Sequence, residues 1–430
     1  MTVARAWRIG VAGLGTVGAA LLDLIDTRKG FAPIDGVVSV SAVSARSRSR
    51  PRSCDISGKI WHDDPVALAS SSDCDIFVEL IGGSDGPAKA AVEAALKSGK
   101  PVITANKALI AVHGAELAAL AEEVGVPLLF EAAVMGGVPA VKVVREALVG
   151  DDIQSIVGIL NGTCNYILTE METTGRSFAD VLAEAQRLGY AEADPTTDVG
   201  GFDAAHKISI LAALAFNCTP NFDATEVEGI EQVELLDIQM AKDLGYRIKL
   251  IASAERVEGS ALVRVHPSLT PLGHPLAQAG GALNALFIES TRLGRIYLQG
   301  PGAGAGPTAV AVAADIADSL LATRRPVFQG PARTLPQIQA VDPSRLMCRA
   351  YLRFLVKDEP GVIAAVSETL AEAGVSIESF LQKPVEGAAG VPIVLTTHSV
   401  AESVLMAAVE RIAALSAVLD RPRLFRIARI

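Results

Sequence analysis

The chain has 430 residues, of which 50% are hydrophobic and 20% charged, so it can form about three packed domains at roughly 150 residues each. Its net charge of −10 and aromatic content of 4% disfavour nucleic acids and anionic membranes as partners. The five cysteines are dispersed and form no C-x-x-C pair, which favours a reducing compartment. No apolar run approaches the ~18 residues of a membrane span, and the first predicted strand leaves no room for a signal peptide. We therefore expect a soluble, cytoplasmic protein.

The first 130 residues alternate between short strands and helices. Apolar runs predict strands at residues 8–12, 37–43, 76–80, 102–104 and 128–132. Apolar residues at helical spacing predict helices at 17–25, 88–98 and 114–124. This alternation predicts an α/β fold, in which a parallel sheet carries helices on both faces.

The turn after the first predicted strand carries a G-x-G-x-x-G motif made of Gly13, Leu14, Gly15, Thr16, Val17 and Gly18. The first glycine permits a tight turn, the second lets the backbone approach a pyrophosphate, and the third lets helix and strand pack closely. The helix N-terminus adds unpaired N–H groups and the positive end of its dipole. This context predicts a Rossmann-type dinucleotide-binding domain over residues 1–140, in which these six residues contact the cofactor.

The residues after the second predicted strand indicate which cofactor binds. A site for NAD usually carries an acid there, about 20 residues beyond the glycines, to hold the ribose 2′-hydroxyl. This chain carries Arg46, Arg48 and Arg50 instead, with no Asp or Glu from 37 to 52. A guanidinium binds a 2′-phosphate through paired hydrogen bonds, so Arg46 and Arg48 favour NADPH, with NADH still usable. A solvated basic loop is the alternative.

A lysine follows the predicted strand at 102–104 within the sequence Thr104-Ala105-Asn106-Lys107. Ligands of parallel sheets bind outside the carboxyl ends of the strands. Thr104 and Lys107 are therefore candidates to face the nicotinamide or the substrate, and a lysine on a surface loop is the alternative.

Beyond residue 140 the pattern changes to that of a second, α+β domain, which we assign to residues 141–300. A strand is predicted at 153–160, longer helices over 165–255, and β-rich segments near 261–265 and 285–299. The glycine-rich residues 300–306 then open a predicted helix at 308–321. This helix is expected to return to the nucleotide domain, so that residues 301–323 complete it.

The last part of the chain predicts a linker and a third domain. Residues 324–347 are rich in Pro, Arg and Gln, which is typical of a linker. The predicted order that follows is a strand at 349–356, a helix at 362–373, strands at 375–382 and 391–397, a helix at 401–415 and a strand at 424–430. This βαββαβ order is the ferredoxin-like pattern, and it predicts a domain over residues 348–430.

A segment at 189–207 places four acids ahead of a lysine. Glu192, Asp194, Asp198 and Asp203 precede Lys207 across a Pro/Gly loop and a helix start. Asp203 and Lys207 are four residues apart and share a helix face. An isolated ion pair is one interpretation. The surplus of carboxylates instead suits a substrate that bears an ammonium group, with a protonated lysine as acid catalyst.

Several segments resemble homoserine dehydrogenases. They are 185–207 with its Gly-Tyr and Asp-Pro pairs, ELIGG at 79–83, TANKALIA at 104–111, EAAVMGGVP at 131–139 and NGTCNYIL at 161–168. The third domain resembles an ACT domain through DEPGVIAAVSETLAEAGVSIES. The resemblance implies a monofunctional enzyme that reversibly reduces L-aspartate 4-semialdehyde to L-homoserine with NAD(P)H, in the biosynthesis of threonine, methionine and isoleucine.

The resemblance also implies roles for single residues. Lys207 would donate a proton to the aldehyde oxygen, and Lys107 would lie beside the nicotinamide. Glu192 would bind the amino end of the substrate, helped by Asp198, and Asp203 would orient the lysine or a water. Gly302, in the late glycine loop, would contact the cofactor again.

Further expectations also come from the resemblance rather than from the residues. A sodium ion would bind near the hinge through Glu131, Val134, Gly136 and Val138, largely by backbone carbonyls. The second domain would be both catalytic and dimerising, so that the protein is a homodimer. The ACT domain would be regulatory, with threonine as the expected amino-acid effector.

Two other functions stay open at this point. Cys164 could be the nucleophile of a phosphorylating semialdehyde dehydrogenase, although such a thiol needs a nearby base or cation. The chain could also be a non-catalytic sensor that binds amino acids through its last domain. The acid-rich segment with its lysine argues against the sensor.

Overall fold

The structure is a computed structural model that describes residues 5–28, 36–257, 260–321, 325–342, 346–382 and 390–430. Its first sheet is parallel and six-stranded, with the order β3-β2-β1-β4-β5-β6. The strands are β1 (Arg5–Ala12), β2 (Gly36–Ser44), β3 (Ile60–His62), β4 (Ile76–Glu79), β5 (Val102–Thr104) and β6 (Leu128–Leu129). The helices among them are α1 (Thr16–Arg28), α2 (Pro65–Ser70), α3 (Pro87–Lys97) and α4 (Lys107–Val124).

The middle of the chain combines helices with long antiparallel strands. Its helices are α5 (Ala140–Lys142), α6 (Gly162–Thr174), α7 (Phe178–Leu188), α8 (Thr196–Val199), α9 (Phe202–Phe216), α10 (Leu235–Asp243), α11 (Pro275–Gln278) and α12 (Ala305–Ser319). Short 3₁₀ helices lie at Glu131–Ala133 and Phe222–Ala224, and a π-helix lies at Val143–Ala147. Its strands are β7 (Ile153–Ile159), β8 (Glu226–Val227), β9 (Tyr246–Val257), β10 (Ser260–Pro271), β11 (Leu283–Ser290) and β12 (Gly294–Pro301).

The last unit has the predicted βαββαβ order with two additional short strands that pair with each other. Its elements are β13 (Met347–Cys348), β14 (Ala350–Val356), α13 (Val362–Glu372), β15 (Ile377–Gln382), β16 (Val391–Thr397), β17 (Val400–Ala401), α14 (Glu402–Ala413) and β18 (Arg423–Ile427). Strands β18, β14, β16 and β15 pair antiparallel in that order. The ferredoxin-like prediction is therefore confirmed for the third unit.

Helices cover both faces of the first sheet, as the alternating pattern predicts. On one face, Leu21 of α1 and Val312 of α12 pack with Ile9 and Val78 of the sheet. On the other face, α2, α3 and α4 pack on residues such as Phe77. The late helix α12 thus lies against the first helix of the chain, and it brings the glycine loop at 300–306 beside the sheet.

Strands from the middle and last units share one sheet. Its order is β12-β11-β7-β9-β10-β18-β14-β16-β15, with β8 beside β10. The joint lies between β10 and β18, which pair in parallel at Ser268 with Arg426 and at Leu269 with Ile427. Helix α9 packs on one face of this sheet, against Ala252 of β9 and other buried residues. No helix in the described ranges is both long enough and apolar enough to cross a bilayer.

Some sequence expectations were wrong in detail. β9 lies where helices were predicted, because a strand buried on both faces shows no clean alternation. The predicted strand at 128–132 ends at Leu129 and gives way to a 3₁₀ helix, in which Glu131 turns back to accept two backbone N–H groups. Helix α4 begins at Lys107 rather than 114, because the side chain of Asn106 caps it. β3 and α2 were not anticipated.

Candidate active site

The turn between β1 and α1 has a different geometry at each of its three motif glycines. Gly13 has a φ of +105°, a Cβ there would lie 2.2 Å from the Leu80 carbonyl oxygen, and its N–H donates to Ser44 at 2.9 Å. A Cβ on Gly18 would lie 2.1 Å from the carbonyl oxygen of Gly13. A Cβ on Gly15 would meet no atom of the described residues within 4 Å. Gly13 and Gly18 therefore serve internal packing, whereas Gly15 leaves room for a pyrophosphate.

The basic loop after β2 is held by an arginine that the sequence analysis did not single out. Arg52 donates to the carbonyl oxygens of Arg48 and Arg50 at 3.3 and 2.9 Å. Its guanidinium lies 5.5 Å from the centroid of the Trp61 ring, and that of Arg48 lies 5.9 Å from the same centroid. Arg46, Arg48 and Arg50 are exposed. The loop thus presents several guanidiniums on an ordered backbone.

Side-chain hydrogen bonds join the two loops that follow β4 and β5. Glu79 is buried, and it accepts from the hydroxyl of Thr104 and from two backbone N–H groups of its own loop at 2.6 and 3.0 Å. Asn106 donates to the carbonyl oxygen of Gly83 at 2.7 Å. This arrangement fixes the start of α4 and hence the position of Lys107. The hydroxyl of Thr104 is used in this bracing.

Asp203 contacts both candidate lysines. It lies in the first turn of α9, one turn before Lys207. Its Oδ2 is 2.7 Å from Nζ of Lys207, and its Oδ1 is 2.8 Å from Nζ of Lys107. Nζ of Lys207 also donates to the carbonyl oxygen of Leu160 at 2.8 Å. The fold thus brings α4, α9 and the end of β7 together at the carboxyl edge of the first sheet.

The two lysines differ in burial and in acidity. The side chain of Lys207 is 9% exposed and that of Lys107 is 38% exposed. Burial lowers the pKa of Lys207, whereas the charge of Asp203 raises the pKa of Lys107. Burial alone would raise the pKa of Asp203, but the two ammonium groups outweigh it and hold that pKa below its ordinary value. Lys207 is therefore the more acidic ammonium group of the pair.

Asn161, immediately before α6, connects two aspartates. Its Nδ2 donates to Oδ1 of Asp198 at 2.7 Å and to Oδ2 of Asp203 at 2.9 Å. Its Oδ1 accepts from the N–H of Cys164 at 2.7 Å and caps α6. The aspartates lie 37 and 42 residues away in sequence. No local spacing signal could have revealed this contact, although the motif NGTCNYIL contains the residue.

Cys164 is fully buried, and its Sγ donates to the carbonyl oxygen of Asp198 at 3.1 Å. Burial, aided by the charges of Asp198 and Asp203, raises the pKa of the thiol well above its ordinary value. A nucleophilic cysteine needs the opposite surroundings. The phosphorylating alternative therefore finds no support in this site.

Two acids of the 189–207 segment take no part in the hydrogen bonds and ion pairs around Asp203. Glu192 and Asp194 are exposed between α7 and α8. Asp194 accepts from the N–H and hydroxyl of Thr196 at 3.1 and 2.6 Å, which is a local turn. Within the described residues the carboxylate of Glu192 accepts no hydrogen bond. Its charge adds to those of Asp203 and Asp198 in raising the pKa of Lys107, so it lies near the lysines.

The residues of the expected sodium site lie on the turn between β6 and α5. The carboxylate of Glu131 accepts from the N–H groups of residues 141 and 142 at 3.0 and 2.8 Å. The carbonyl oxygen of Val138 accepts from the N–H of Ala140 at 2.7 Å. The carbonyl oxygens of Val134 and Gly136 accept no hydrogen bond from the part of the chain that the structure describes. Two oxygens of the kind that hard cations prefer are therefore available here.

The late glycine loop touches both this turn and the lysine site. The carbonyl oxygen of Gly302 would lie 2.6 Å from a Cβ on Gly136, and a Cβ on Gly302 would lie 2.0 Å from Cγ of Asn284. Nδ2 of Asn284 donates to the carbonyl oxygen of Leu160 at 2.9 Å, which also accepts from Lys207. The loop that contains Gly302 is therefore in contact with the groups that hold Lys207.

This arrangement suits hydride transfer to a carbonyl. A buried ammonium of lowered pKa can protonate an oxygen on which negative charge develops. The glycine turn, which offers space for a pyrophosphate, lies at the same sheet edge, because β1 and β5 flank β4. Hydride transfer requires alignment and a proton from the protein, and the buried ammonium group of Lys207 is a group that can supply the proton.

Family models match most of the chain. A model described as "Homoserine dehydrogenase, NAD binding domain" matches residues 13–131, one described as "Homoserine dehydrogenase" matches 139–317, and an ACT domain model matches 350–417. The chain is 42% identical over 425 residues to a homoserine dehydrogenase of Pseudomonas aeruginosa, covering 96% of each protein. It is 42% identical over 423 residues to one of Neisseria gonorrhoeae, covering 95% of this chain and 96% of the relative.

Solved structures of similar proteins share the fold. A homoserine dehydrogenase of Thiobacillus denitrificans is 38% identical with a TM-score of 0.90, covering 99% of this chain and 98% of that one. A hyperthermophilic archaeal homoserine dehydrogenase in complex with NADPH is 29% identical with a TM-score of 0.65, covering 75% of this chain and 100% of that one. Together with the lysine site, these similarities leave the sensor alternative without support. The chain belongs to the homoserine dehydrogenase family, NAD(P)-dependent oxidoreductases that interconvert L-aspartate 4-semialdehyde and L-homoserine.

Proposed function

We propose that Lys207 donates the proton to the aldehyde oxygen, and that Lys107 lies beside the nicotinamide and the reacting carbon. The observation that carries this proposal is the pair of contacts on Asp203, because one carboxylate holds both ammonium groups. When bound, the reduced nicotinamide supplies the hydride. Lys207 is the better acid because burial lowers its pKa, and in the reverse direction its neutral amine accepts the hydroxyl proton.

Asp198 and Glu192 are proposed to bind the ammonium group of the substrate. Oδ1 of Asp198 accepts from Asn161, whereas no described residue donates to its Oδ2. Glu192 is exposed and close enough to Lys107 to affect its pKa. An oxygen without a donor and a second carboxylate nearby suit a substrate ammonium group.

NADPH is the proposed preferred cofactor, with NADH usable. Arg46 and Arg48 are exposed after β2, where an acid would disfavour a 2′-phosphate. The similar archaeal enzyme was solved with NADPH. The motif residues from Gly13 to Gly18 would hold the pyrophosphate, and Thr104 and Gly302 would contact the cofactor through their backbones.

A sodium ion is proposed on the turn at 131–138. The available carbonyl oxygens of Val134 and Gly136 support it, and Glu131 and Val138 would complete the oxygen donors. Bound there, the ion would stabilise the hinge next to Gly302, and no step of the reaction requires it.

We propose how the enzyme is regulated and assembled on the basis of its membership of the homoserine dehydrogenase family. The third unit would bind threonine near the turn at 358–361, where Gly361, with a φ of +91°, precedes α13. The enzyme would be a homodimer. Binding of threonine by calorimetry and the mass of the full chain by light scattering test these two proposals.

The division into domains is also a proposal. Residues 1–140 with 301–323 would form the nucleotide domain, 141–300 the catalytic and dimerisation domain, 324–347 a linker and 348–430 the ACT domain. The packing of α12 against α1 supports the return of the chain to the first domain.

An assay of NADPH consumption tests the reaction itself. The full chain should oxidise NADPH when L-aspartate 4-semialdehyde is added, and phosphate should have no effect. A phosphorylating dehydrogenase would instead form NADPH from NADP⁺, the aldehyde and phosphate. The latter result, or no turnover with the semialdehyde, would contradict the proposal.

A further inference from the structure

We propose that Asn161 is a positioning residue of the reaction, which sets Asp198 as the receptor of the substrate ammonium group through a shared hydrogen bond with Asp203. This inference rests on the substrate-binding role proposed above for Asp198. It is carried by one amide nitrogen that donates to both carboxylates, at 2.7 and 2.9 Å.

The orientation of the Asn161 amide follows from its surroundings. Its Oδ1 faces the N–H of Cys164 at 2.7 Å, and its Nδ2 faces two carboxylate oxygens. A flipped amide would set an oxygen against two carboxylates and a donor against an N–H group, which leaves every contact repulsive. Asn161 is also 3% exposed, so its contacts are shielded from bulk water.

The shared hydrogen-bond donor stabilises the negative charges of both acids, which lie close together. Asp203 is neutralised by Lys207 and Lys107, which it contacts directly. Among the described residues no cation forms an ion pair with Asp198, and burial raises its pKa. The Asn161 hydrogen bond opposes that rise, whereas the charge of Asp203 adds to it. A neutral donor between the two carboxylates therefore favours their joint ionisation.

The hydrogen bond from Asn161 to Asp198 also determines which oxygen of Asp198 is available to the substrate. Asn161 occupies Oδ1, and no described residue donates to Oδ2. Because Asn161 is itself fixed as the cap of α6, the carboxylate plane of Asp198 is held relative to the lysine pair. The substrate ammonium group then meets an oriented, ionised oxygen.

The principal test is Asn161→Asp, which keeps the oxygen that caps α6 and removes the shared donor. The KM for L-homoserine should rise on the order of 10- to 100-fold, the factor that a hydrogen bond to a charged group is worth. The KM for NADP⁺ should stay within about twofold, because the proposed contacts with the pyrophosphate and the 2′-phosphate lie elsewhere. The acid limb of kcat/KM for reduction of L-aspartate 4-semialdehyde should move to higher pH, since loss of the donor and an added negative charge both raise the pKa of Asp198. In this direction Lys207 acts as a protonated acid, so its own titration affects the basic limb instead. The titratable groups near Asp198 also include Asp203, Lys207, Lys107 and the thiol of Cys164.

Asn165→Asp is the matched control. It makes the same change one turn later on α6, where the amide donates to the carbonyl oxygens of Ala279 and Leu283, away from the acids. Its KM for homoserine and its pH profile should match the wild type. Asn161→Ser is a second variant in case the first fails to fold, because serine also caps helices and its hydroxyl can donate to only one carboxylate. Its effect should lie between those of wild type and Asn161→Asp.

A double-mutant cycle with Asp198→Asn separates this inference from the substrate-binding proposal. If Asn161 acts through Asp198, Asn161→Asp should change the KM little in the Asp198→Asn background. If Asp198→Asn raises the KM but the two changes add fully, the positioning inference is wrong and the binding role stands. If Asp198→Asn leaves the KM for homoserine unchanged, the binding role is wrong and the inference falls with it.

Discussion

Each carboxylate oxygen of Asp203 accepts a hydrogen bond from a different lysine, and one of them also accepts from Asn161. A buried carboxylate is costly unless it is paired and hydrogen-bonded, and this one satisfies both conditions. Asp203 raises the pKa of Lys107, whereas burial lowers the pKa of Lys207 in spite of the same partner. A single aspartate therefore holds both lysines, and their different burial makes Lys207 the more acidic of the two.

The residue types of this site were predictable from sequence, but their contacts were only partly so. The four-residue spacing of Asp203 and Lys207 predicts their ion pair, and the structure shows it. The contact of Lys107 with Asp203 joins residues far apart in the chain, and no local rule predicts it. The same holds for Asn161 and for the carbonyl oxygen of Leu160. Such contacts depend on how the first sheet and α9 are packed together.

Arg46→Ala tests the choice of cofactor. Because its guanidinium is exposed after β2, its loss should lower kcat/KM for NADPH about tenfold, the scale of one hydrogen bond to a charged group. The value for NADH should stay within about threefold, because NADH has no 2′-phosphate. Steady-state kinetics with both cofactors measure this, and Arg50→Ala in the same loop is the matched control with a smaller expected effect. A wild-type preference for NADH would contradict the assignment.

At the scale of the elements, the carboxyl edge of the first sheet organises the site. The glycine turn follows β1, the Glu79 loop follows β4, and Lys107 follows β5. The glycine turn and Lys107 were predicted at this edge, because a strand–turn–helix context determines what the glycines do and sheet ligands bind beyond the strand ends. The role of Glu79 was not predicted. The strand β9 was missed, since burial on both faces hides its period. The missed strand did not affect the predicted site, because Lys207 lies on α9 and not on β9.

Gly15→Ala and Gly18→Ala test two different roles of glycine within one motif. Gly15 is expected to leave space for the cofactor, and Gly18 is expected to allow close internal packing. A Cβ on Gly15 meets open space, whereas one on Gly18 would lie 2.1 Å from a backbone oxygen. Gly15→Ala should therefore keep the wild-type thermal stability and raise the KM for NADPH about tenfold or more, because the methyl group fills the space for the pyrophosphate. Gly18→Ala should lower the free energy of unfolding by about 1–3 kcal/mol or more, as overpacking does.

Thermal unfolding and cofactor kinetics on both variants measure this difference. Gly150→Ala, at an exposed glycine whose Cβ would also meet open space, controls for the change from glycine to alanine. A Gly15→Ala enzyme with an unchanged KM for NADPH would show that the open space above the turn does not receive the cofactor.

At the scale of the whole molecule, the third unit is built into the sheet of the second. β18 pairs with β14 of its own unit and with β10, and Tyr351 and Phe425 belong to the same apolar core as α9. Buried ion pairs add to this joint, with Arg353 on Asp237 at 2.6 Å and Arg264 on Glu402 at 2.8 Å. The βαββαβ order was predictable from local patterns. The joint was not, because strand partners in different units leave no sequence signal.

Arg353→Met tests how strongly this joint depends on its charges. Asp237 is fully buried and accepts from Arg353 and from the hydroxyl of Tyr351. Removal of the arginine leaves an unpaired buried carboxylate, which should cost about 3–5 kcal/mol of unfolding free energy. The double variant Arg353→Met with Asp237→Leu should regain part of that loss, since an apolar pair replaces the ions. The rest stays lost because the Tyr351 hydroxyl and the Glu234 N–H lose their acceptor. Urea unfolding measures both, and equal losses in the single and double variants would count against the explanation.

The proposed role of Lys207 as proton donor is tested most directly by kcat of Lys207→Ala for reduction of L-aspartate 4-semialdehyde. Lys249→Met is the matched control, because Lys249 is also a buried lysine but donates to Asn165 and a backbone carbonyl, away from the acids. We expect kcat to fall by about 10²–10⁴ in folded Lys207→Ala, the scale of a positioned general acid, and to stay near the wild-type value in a folded control. A folded Lys207→Ala enzyme with nearly normal kcat would contradict the claim.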